Sequence, residues 1–165
     1  MAENDDTQPY SLSFDTKALD LWASYVGGNA GNIIRLHTNL ALKNAAGIVQ
    51  RREYKEAPRG VTGGLIKSIR QIVTEAIATI GPAANKYAIY IEKGTKPHMP
   101  PIDAITPWAE SVGINPWAVA MSIKKKGTQA NPFVKRTFGV TKGDVKAEFA
   151  LATVRITSAL AAKGF

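Results

Sequence analysis

Two glycine-threonine turns divide the second half of this chain and restrict where helices and strands can run. The stretch KGTKPHMPP occupies residues 93–101, and KGTQANPF occupies residues 126–133. Proline lacks a backbone N–H and fixes φ, so neither stretch suits a helix interior or a central strand. We expect at least one of Gly94 and Gly127 to adopt a positive φ, which glycine tolerates without steric cost. The turns would then enclose a module at residues 97–126, and the second turn would return the chain to where the first left it.

Composition is typical of one globular domain. The chain has 165 residues and a mass of 17.7 kDa, and 45% of its residues are hydrophobic against 21% charged. It contains no cysteine, which excludes disulfides and thiolate metal sites. The opening residues MAENDDTQPY lack the pattern of a secretory signal, and no apolar run is long enough to cross a bilayer. We therefore expect a single soluble domain, residues 1–165, made in the cytoplasm and without a membrane partner.

Charge is distributed unevenly along the chain. The formal net charge is +8, from 21 basic and 13 acidic residues, and this balance favours association with polyanions such as nucleic acid. Acidic residues gather at the start, at Glu3, Asp5 and Asp6, whereas basic residues gather late: Lys124, Lys125, Lys126, Lys135 and Arg136. Such asymmetry can attract the acidic end of one subunit to a basic segment of another.

The first third of the chain predicts an arm and two helices. Residues 1–14 are polar and are expected to form a flexible arm. Residues 16–26 have helical spacing and end at Gly27, and a longer helix is expected from Asn32 to about Tyr54. The expected buried stripe of this longer helix comprises Ile33, Leu36, His37, Leu40, Gly47 and Ile48.

The end of the chain predicts a helix that is apolar on two sides. Thr141 with Asp144 resembles a capping box, and Gly164 stands where a helix would end. Leu151 and Val154 face a different side from the main stripe, which comprises Val145, Phe149, Ala152, Ile156 and Leu160. A helix of this kind is often covered by two neighbours, one of which can be another subunit. The pattern therefore favours an oligomer.

Two segments between these helices need separate interpretation. Residues 69–81 have the spacing of an amphipathic helix, but they are rich in β-branched residues and lie between glycine pairs, which also permits two short strands with a turn near residues 74–76. Periodicity alone leaves both alternatives open. The module at 97–126 predicts a helical hairpin, whose helices we expect to pack on their own residues Trp108 and Trp117.

Catalytic chemistry has little support in the residue pattern. The two histidines, His37 and His98, are far apart, and the sequence has no metalloprotease, P-loop or nucleophile-elbow motif. His37 lies on the predicted helical stripe, where a buried, hydrogen-bonded core histidine is the commonest outcome. We therefore expect a protein that is not an enzyme and that has no catalytic residue, metal site or cofactor.

Three short motifs follow one another in a characteristic order: APRGVTGGLIKSI at 57–69, YAIYIEKGT at 87–95 and GTQANPFVKRTF at 127–138. Together they resemble the tail-completion or neck proteins of long-tailed bacteriophages, over roughly residues 30–160. In that family a long helix precedes a Pro…Thr-Gly-x-Leu-x-x-Ser-Ile turn, a β hairpin, a Tyr-Ala-x-x-x-Glu-x-Gly-Thr motif and a Pro-Phe that enters the last helix. The matching positions are Pro58, Thr62, Gly63, Leu65, Ser68, Ile69, Tyr87, Ala88, Glu92, Gly94, Thr95, Pro132 and Phe133.

This sequence departs from the family pattern at two places. Gly64 stands where the family usually has a longer polar side chain. The inserted module also separates the Gly-Thr turn from the Pro-Phe turn, which shorter members bring close together.

The resemblance implies a fold and a function. The implied fold is α+β: a small antiparallel sheet, with strands at 69–81, a long N-terminal helix, an inserted helical hairpin and a C-terminal helix. The implied function is that of a structural virion protein at the tail top or neck. Such a protein forms a homo-oligomeric ring, commonly a hexamer, which meets the tail terminator or tail tube and the head–tail connector, and which surrounds the channel for DNA.

Candidate residues for these roles follow from the turns, the charge and the resemblance together. The interface candidates are Gly94, Thr95, Gly127, Thr128, Pro132, Phe133, Lys135 and Arg136. The candidates for transient, sequence-independent contact with DNA in the channel are Lys124, Lys125 and Lys126. The alternative function is that of a basic, non-enzymatic nucleic-acid-binding protein. It requires aromatic side chains available for stacking, whereas Trp22, Trp108 and Trp117 all lie within apolar stripes.

Overall fold

The computed structural model describes residues 12–83 and 87–164, and the fold is α+β, as expected. Within these ranges the chain forms three strands and seven helices. In chain order they are β1 (Leu12–Asp15), α1 (Lys17–Val26), α2 (Gly28–Glu56), α3 (Gly64–Ser68), β2 (Ile69–Val73), β3 (Ile77–Pro82), α4 (Ala88–Lys93), α5 (Ile102–Ser111), α6 (Pro116–Lys126) and α7 (Phe133–Ala161). None of these helices is both long and apolar enough to span a membrane.

The three strands form an antiparallel sheet in the order β1-β3-β2. Ile69 of β2 pairs with Pro82 of β3, and the hairpin turn is closed by a hydrogen bond of 2.8 Å from the Thr74 N–H to the Ile77 carbonyl. The strand prediction for residues 69–81 is therefore confirmed, and the helical alternative is wrong. Helical spacing misleads here because Ile77, on the less buried face of β3, is apolar as well, so the sequence does not show the alternation of apolar and polar residues that marks a half-exposed strand.

The two long helices, α2 and α7, pack against each other. The buried face of α2 includes Ala41, Ala45 and Ala46, which are fully buried and whose small side chains allow a neighbouring backbone to approach closely. Larger side chains complete one core that joins both helices to the sheet, among them Leu42, Val49, Ile69, Ile80 and Phe133. This core fixes the start of α7 relative to the end of α2.

The predicted buried stripe of the long helix is wrong, because the face that α2 buries is shifted by about one residue from the predicted face. Leu36 is 65% exposed and Leu40 is 44% exposed, whereas Ile34 and Thr38 are buried. The prediction followed the largest apolar side chains, but the helix buries its alanine-rich face instead. The exposed leucines remain on the outside of the subunit.

Helix α1 has the predicted extent, and glycines shape its junction with α2. The chain turns at Gly27, whose φ is +65°, and α2 begins at once at Gly28 rather than at Asn32. Gly31 lies against the carbonyl of Ala23, where a Cβ would collide with the oxygen. The two helices can therefore pack closely at this point.

Part of the predicted flexible arm is ordered. Residues 12–15 form the edge strand β1, in which Leu12 pairs with Ile80, and both Leu12 and Phe14 pack against the core. The arm prediction is therefore wrong for residues 12–14, because this alternation of apolar and polar residues suits a half-buried strand. Residues 1–11 of the expected arm lie outside the described residues.

The last helix begins earlier than the capping-box pattern predicts. Helix α7 starts at Phe133, and Thr141 is buried inside it, where its hydroxyl donates to the carbonyl of Thr137 at 2.8 Å. The predicted start at Thr141 is therefore wrong. A threonine that bonds back along its own helix does not need to cap it. The helix ends at Ala161, shortly before Gly164.

The inserted module is a helical hairpin, as predicted, but its tryptophans do not form its interior. Trp108 is 44% exposed and Trp117 is 58% exposed, whereas Ala109 and Ala120 are fully buried. Helices α5 and α6 pack mainly on each other. The expectation that the hairpin packs on its tryptophans is therefore wrong, because alanines fill its contact and leave the aromatic rings outside.

Candidate functional site

The two Gly-Thr turns meet and form a clasp, which we define as residues 94–95 together with residues 127–128. The Thr95 N–H donates to the Thr128 carbonyl at 3.2 Å, and the Thr128 N–H donates to the Thr95 carbonyl at 3.2 Å. Their hydroxyl oxygens are 2.9 Å apart and share a further hydrogen bond. The second turn therefore does return the chain to the first, and the clasp closes the base of the hairpin.

Both glycines of the clasp need the absence of a side chain. Gly94 has φ +74° and Gly127 has φ +75°, so the predicted positive φ occurs at both positions. A Cβ at Gly94 would collide with the Thr128 carbonyl, and a Cβ at Gly127 would collide with the Thr95 carbonyl. Any larger residue at either position would thus open the clasp that the threonines close.

Glu92 lies just before the clasp and caps helix α7 from outside it. Its carboxylate accepts hydrogen bonds from the backbone N–H groups of Val134, at 2.9 Å, and Lys135, at 3.1 Å. These N–H groups have no partner within the helix, and a negative charge at a helix N-terminus is favourable. The Asn131 N–H also donates to the Ile91 carbonyl at 2.8 Å. The second and third motifs of the chain are therefore joined at the start of α7, and we call this contact the junction.

Phe133 is the apolar centre of the same junction. Its side chain is fully buried and belongs to the core shared by α2, α7 and the sheet. Pro132 precedes it at the start of the helix and is half-buried. Phe133 therefore anchors α7 within the subunit, and it offers no exposed surface to a neighbour.

Arg136 links α7 to the end of α2. Its Nε donates to Glu56 Oε2 at 3.0 Å, and its Nη2 donates to Asn131 Oδ1 at 2.7 Å. The hydrogen bond from Arg136 is the main cause that lowers the pKa of Glu56 below its ordinary value, and Arg52 adds to the effect. These contacts give Arg136 a role inside the subunit, which sequence reasoning did not assign.

The remaining candidate lysines are exposed, and they lie at the start of α7 and at the end of α6. Lys135 is in the first turn of α7, and its contribution to the junction is the backbone N–H that Glu92 binds. Lys124, Lys125 and Lys126 form the last turn of α6, directly before the clasp. Positive side chains are favourable at a helix C-terminus, so the triple lysine also suits its position in the hairpin.

Glu53 is a buried acid that sequence reasoning missed. It is fully buried on α2, and neither carboxylate oxygen has a hydrogen-bond partner among the described residues. Burial, and secondarily the charge of Glu92, raises the pKa of Glu53 to about 7. The sequence contained a signal, since Glu53 lies one helical turn after Val49 on the buried face of α2. The predicted stripe lay on a different face of the helix and therefore did not include Glu53.

A largely apolar groove of about 690 Å³ lies beside the clasp. Tyr90 and Ile91 of α4 line one part of it, and Pro97 and Ile123 line the part at the base of the hairpin. Thr95 and Thr128 of the clasp also line the groove, so the groove and the clasp share the same backbone.

Large apolar side chains are exposed on several elements. On α1, Leu21 is 71% exposed and Tyr25 is 91% exposed. On α7, Leu151 is 51% exposed and Val154 is 61% exposed, which leaves the predicted second apolar side of this helix uncovered within the subunit. Scattered apolar residues are normal on a surface, but repeated ones along single helices indicate faces that a partner can cover.

In the described ranges, His, Cys, Asp and Glu form no group of three or more that could hold a metal ion. His37 is half-buried, and its Nδ1 is enclosed without a hydrogen-bond partner there. The expectation of a buried, hydrogen-bonded core histidine is therefore wrong, because the true buried face of α2 is rotated away from His37.

Comparison of the chain with protein-family models, with curated proteins and with solved structures found no match.

Proposed function

We propose that this chain is a structural protein of a phage neck or tail top, which forms a ring, completes the tail and joins it to the head connector while DNA passes through. The observation that carries the proposal is the junction at the start of α7. Three motifs that are distant in sequence, and that together resemble the tail-completion family, lie in one structural unit built on Ile69, Glu92 and Phe133.

The uncovered apolar faces support assembly. Leu21, Tyr25 and Val154 are each more than half exposed, and a closed ring requires each subunit to offer two different complementary patches. Faces on α1 and on the far part of α7 are suited to this, because they belong to different helices. The junction itself has an internal role: Phe133 and Arg136 hold the subunit together, and the assembly surfaces lie outside it.

We assign contact with DNA in the channel to the triple lysine. Lys124, Lys125 and Lys126 are exposed at the end of a hairpin whose helices pack mainly on each other. In a channel such residues would contact phosphate weakly and without sequence preference, because a strong contact would stall the moving DNA.

Genetic inactivation in the encoding phage tests the proposal. If the chain completes the tail, cells infected by the defective phage should accumulate filled heads and tails that remain separate. Addition of the purified chain to this lysate should then restore joined, infectious particles. Complete particles formed without the chain would contradict the proposed function.

A second function, nucleic-acid binding, is favoured by one specific observation. Trp117 and Lys124 lie two turns apart on α6, so both are on the same side of the helix, and both are exposed. The argument that the tryptophans are hidden in apolar stripes is therefore wrong for this residue. Titration with single-stranded DNA separates the two functions: tight binding that Trp117→Ala weakens by about 5- to 150-fold would favour the second, because base stacking contributes about 1–3 kcal/mol per base.

A further inference from the structure

We propose that Glu53 and Glu92 form a proton-controlled latch for one lobe of the subunit, which we define as residues 88–128 and which comprises α4, the clasp and the hairpin. While Glu53 keeps its proton, the lobe stays closed on the core. When this proton is lost to solvent, the lobe is released. The inference does not depend on the proposed function. It rests on the burial of Glu53, on the hydrogen bonds of Glu92 and on the sparse packing of the lobe.

Glu53 carries its carboxyl group where a charge is costly. The side chain is fully buried, and both carboxyl oxygens are enclosed without a hydrogen-bond partner among the described residues. A carboxyl group in such surroundings keeps its proton, because ionisation would leave an unpaired charge away from water. A proton on Glu53 is therefore a condition for the closed arrangement.

The charges around Glu53 do not compensate its ionisation. Glu92 of α4 acts on it with a negative charge, β3 contains no charged residue, and α1 packs near the opposite end of α2. The cations on the other neighbouring elements are exposed or paired with Glu56: Arg52 on α2 itself, Lys67 on α3, Arg70 on β2, and Lys135 and Arg136 on α7. Burial and the charge of Glu92 together raise the pKa of Glu53 to about 7, so this proton is lost near neutral pH.

Glu92 supplies the polar contact that holds the lobe to α7. It is buried, and its carboxylate accepts hydrogen bonds from the Val134 N–H at 2.9 Å and from the Lys135 N–H at 3.1 Å. The Ile91 carbonyl accepts a further hydrogen bond from the Asn131 N–H at 2.8 Å. The same carboxylate that raises the pKa of Glu53 therefore also closes the lobe.

Apolar packing of the lobe on the rest of the subunit is sparse. Within the described ranges, neither α4 nor the hairpin packs extensively against α2, α7 or the sheet. Ala88 belongs to the main core and Ile91 packs against it, whereas Ala109 and Ala120 are buried inside the hairpin. Regions with few buried apolar contacts open at a low free energy. The bonds of Glu92 are thus a large part of what keeps the lobe closed.

Ionisation of Glu53 acts directly on this contact. The new charge repels the carboxylate of Glu92 and requires water. Movement of α4 admits this water most easily, because α2 is fixed between α7 and the sheet. Since the pKa of Glu53 is raised in the closed state, its contribution to closure is complete below the ordinary value of 4.5 and is lost as pH rises through about 7.

Amide hydrogen exchange of the full chain, resolved by NMR at pH 6, 7 and 8, tests the proposal. The reporter amides are those of Asn131, Val134 and Lys135, whose hydrogen bonds break when the lobe is released. The reference amides are those of Ala45 and Val49 in the buried part of α2. Protection factors are compared, because they remove the intrinsic dependence of exchange on pH.

We expect the opening equilibrium at the reporter amides to increase about tenfold from pH 6 to pH 8. The reporters should also be less protected than the reference amides at each pH, because the release is local. Glu53→Gln should abolish the increase, whereas Glu110→Gln, which changes an exposed acid of the hairpin, should retain it. If Glu53→Gln does not fold, Glu53→Met keeps a similar volume without a titrating group.

Three results would overturn the proposal. Reporter and reference amides with equal protection at every pH would show that only global unfolding opens the junction. Reporter protection that is constant from pH 6 to pH 8 would show that no proton controls it. An increase that persists in the folded Glu53 variant would assign the control to another group.

Discussion

Glu92 binds the first turn of a helix that begins about forty residues later, through a hydrogen bond of 2.9 Å from the Val134 N–H to its Oε2 atom. We expect Glu92→Ala to destabilise the fold by about 3 kcal/mol, because two N–H groups of a largely buried helix start lose a charged acceptor. Glu92→Gln should have a smaller effect, since the amide oxygen can still accept one of the two bonds. Chemical denaturation monitored by circular dichroism measures both changes. Glu110→Ala removes an exposed carboxylate and serves as control; a loss for Glu92→Ala no larger than for this variant would contradict the capping role.

The clasp glycines provide a second prediction. Gly94→Ala and Gly127→Ala should each lower stability by more than about 1 kcal/mol, since a Cβ is strained at positive φ and also collides with the opposite turn. Gly139→Ala and Gly143→Ala are matched controls inside α7, where a Cβ meets nothing within 4 Å. These controls should raise stability by about 0.5–1 kcal/mol, because alanine favours helix. Thermal unfolding distinguishes the pairs, and equal effects would show that the clasp does not need glycine.

Glu53 predicts an unusual dependence of stability on pH. Its pKa is raised from 4.5 to about 7 in the folded protein, so the folded state binds more protons than the unfolded state between these values. The free energy of unfolding should therefore fall as pH rises from about 5 to about 8, by an amount on the order of 3 kcal/mol. Glu53→Gln should remove most of this slope, whereas Glu110→Gln should leave it unchanged. Denaturation at several pH values measures the slope, and a wild-type protein with constant stability over this range would contradict the prediction.

Replacement of the triple lysine distinguishes contact with DNA in the channel from contact between subunits. We expect replacement of Lys124, Lys125 and Lys126 by glutamine to leave particle assembly intact and to change the retention or ejection of DNA, because exposed charges at the end of α6 make no ion pair within the described part of the chain. Lys135→Gln, at the start of α7, removes one exposed charge at a residue proposed for the interface and serves as the comparison. Sedimentation of the assembled particles and measurement of DNA release test the expectation. Failure of assembly, with altered salt sensitivity, would instead mean that these lysines join subunits.

Much of the fold was predictable where local rules act alone. Gly27 ended α1, the Gly-Thr turns bounded the inserted module, and the positive φ at Gly94 and Gly127 followed from the local sequence. The resemblance was needed to choose strands for residues 69–81, because the apolar Ile77 on the less buried face of β3 obscures the alternation that periodicity arguments use.

The rest depended on contacts between distant residues, which local patterns cannot contain. The start of α7 was misplaced because its cap is Glu92, a residue of another helix, and because Thr141 bonds back to Thr137. The buried face of α2 was misplaced because alanines, and not the larger Leu36, occupy it. That error in turn concealed Glu53, the most perturbed acid of the described chain.

The proposed ring is tested by a cryo-EM reconstruction of the tail top of the phage to which the proposal assigns this chain. We expect a closed ring, commonly of six copies of this chain, around the DNA channel, with the apolar faces of α1 and α7 covered by neighbours. We also expect the clasp and the Glu92 cap to be retained inside each subunit. A map in which the chain is a monomer away from the channel, or is absent from the particle, would contradict the account.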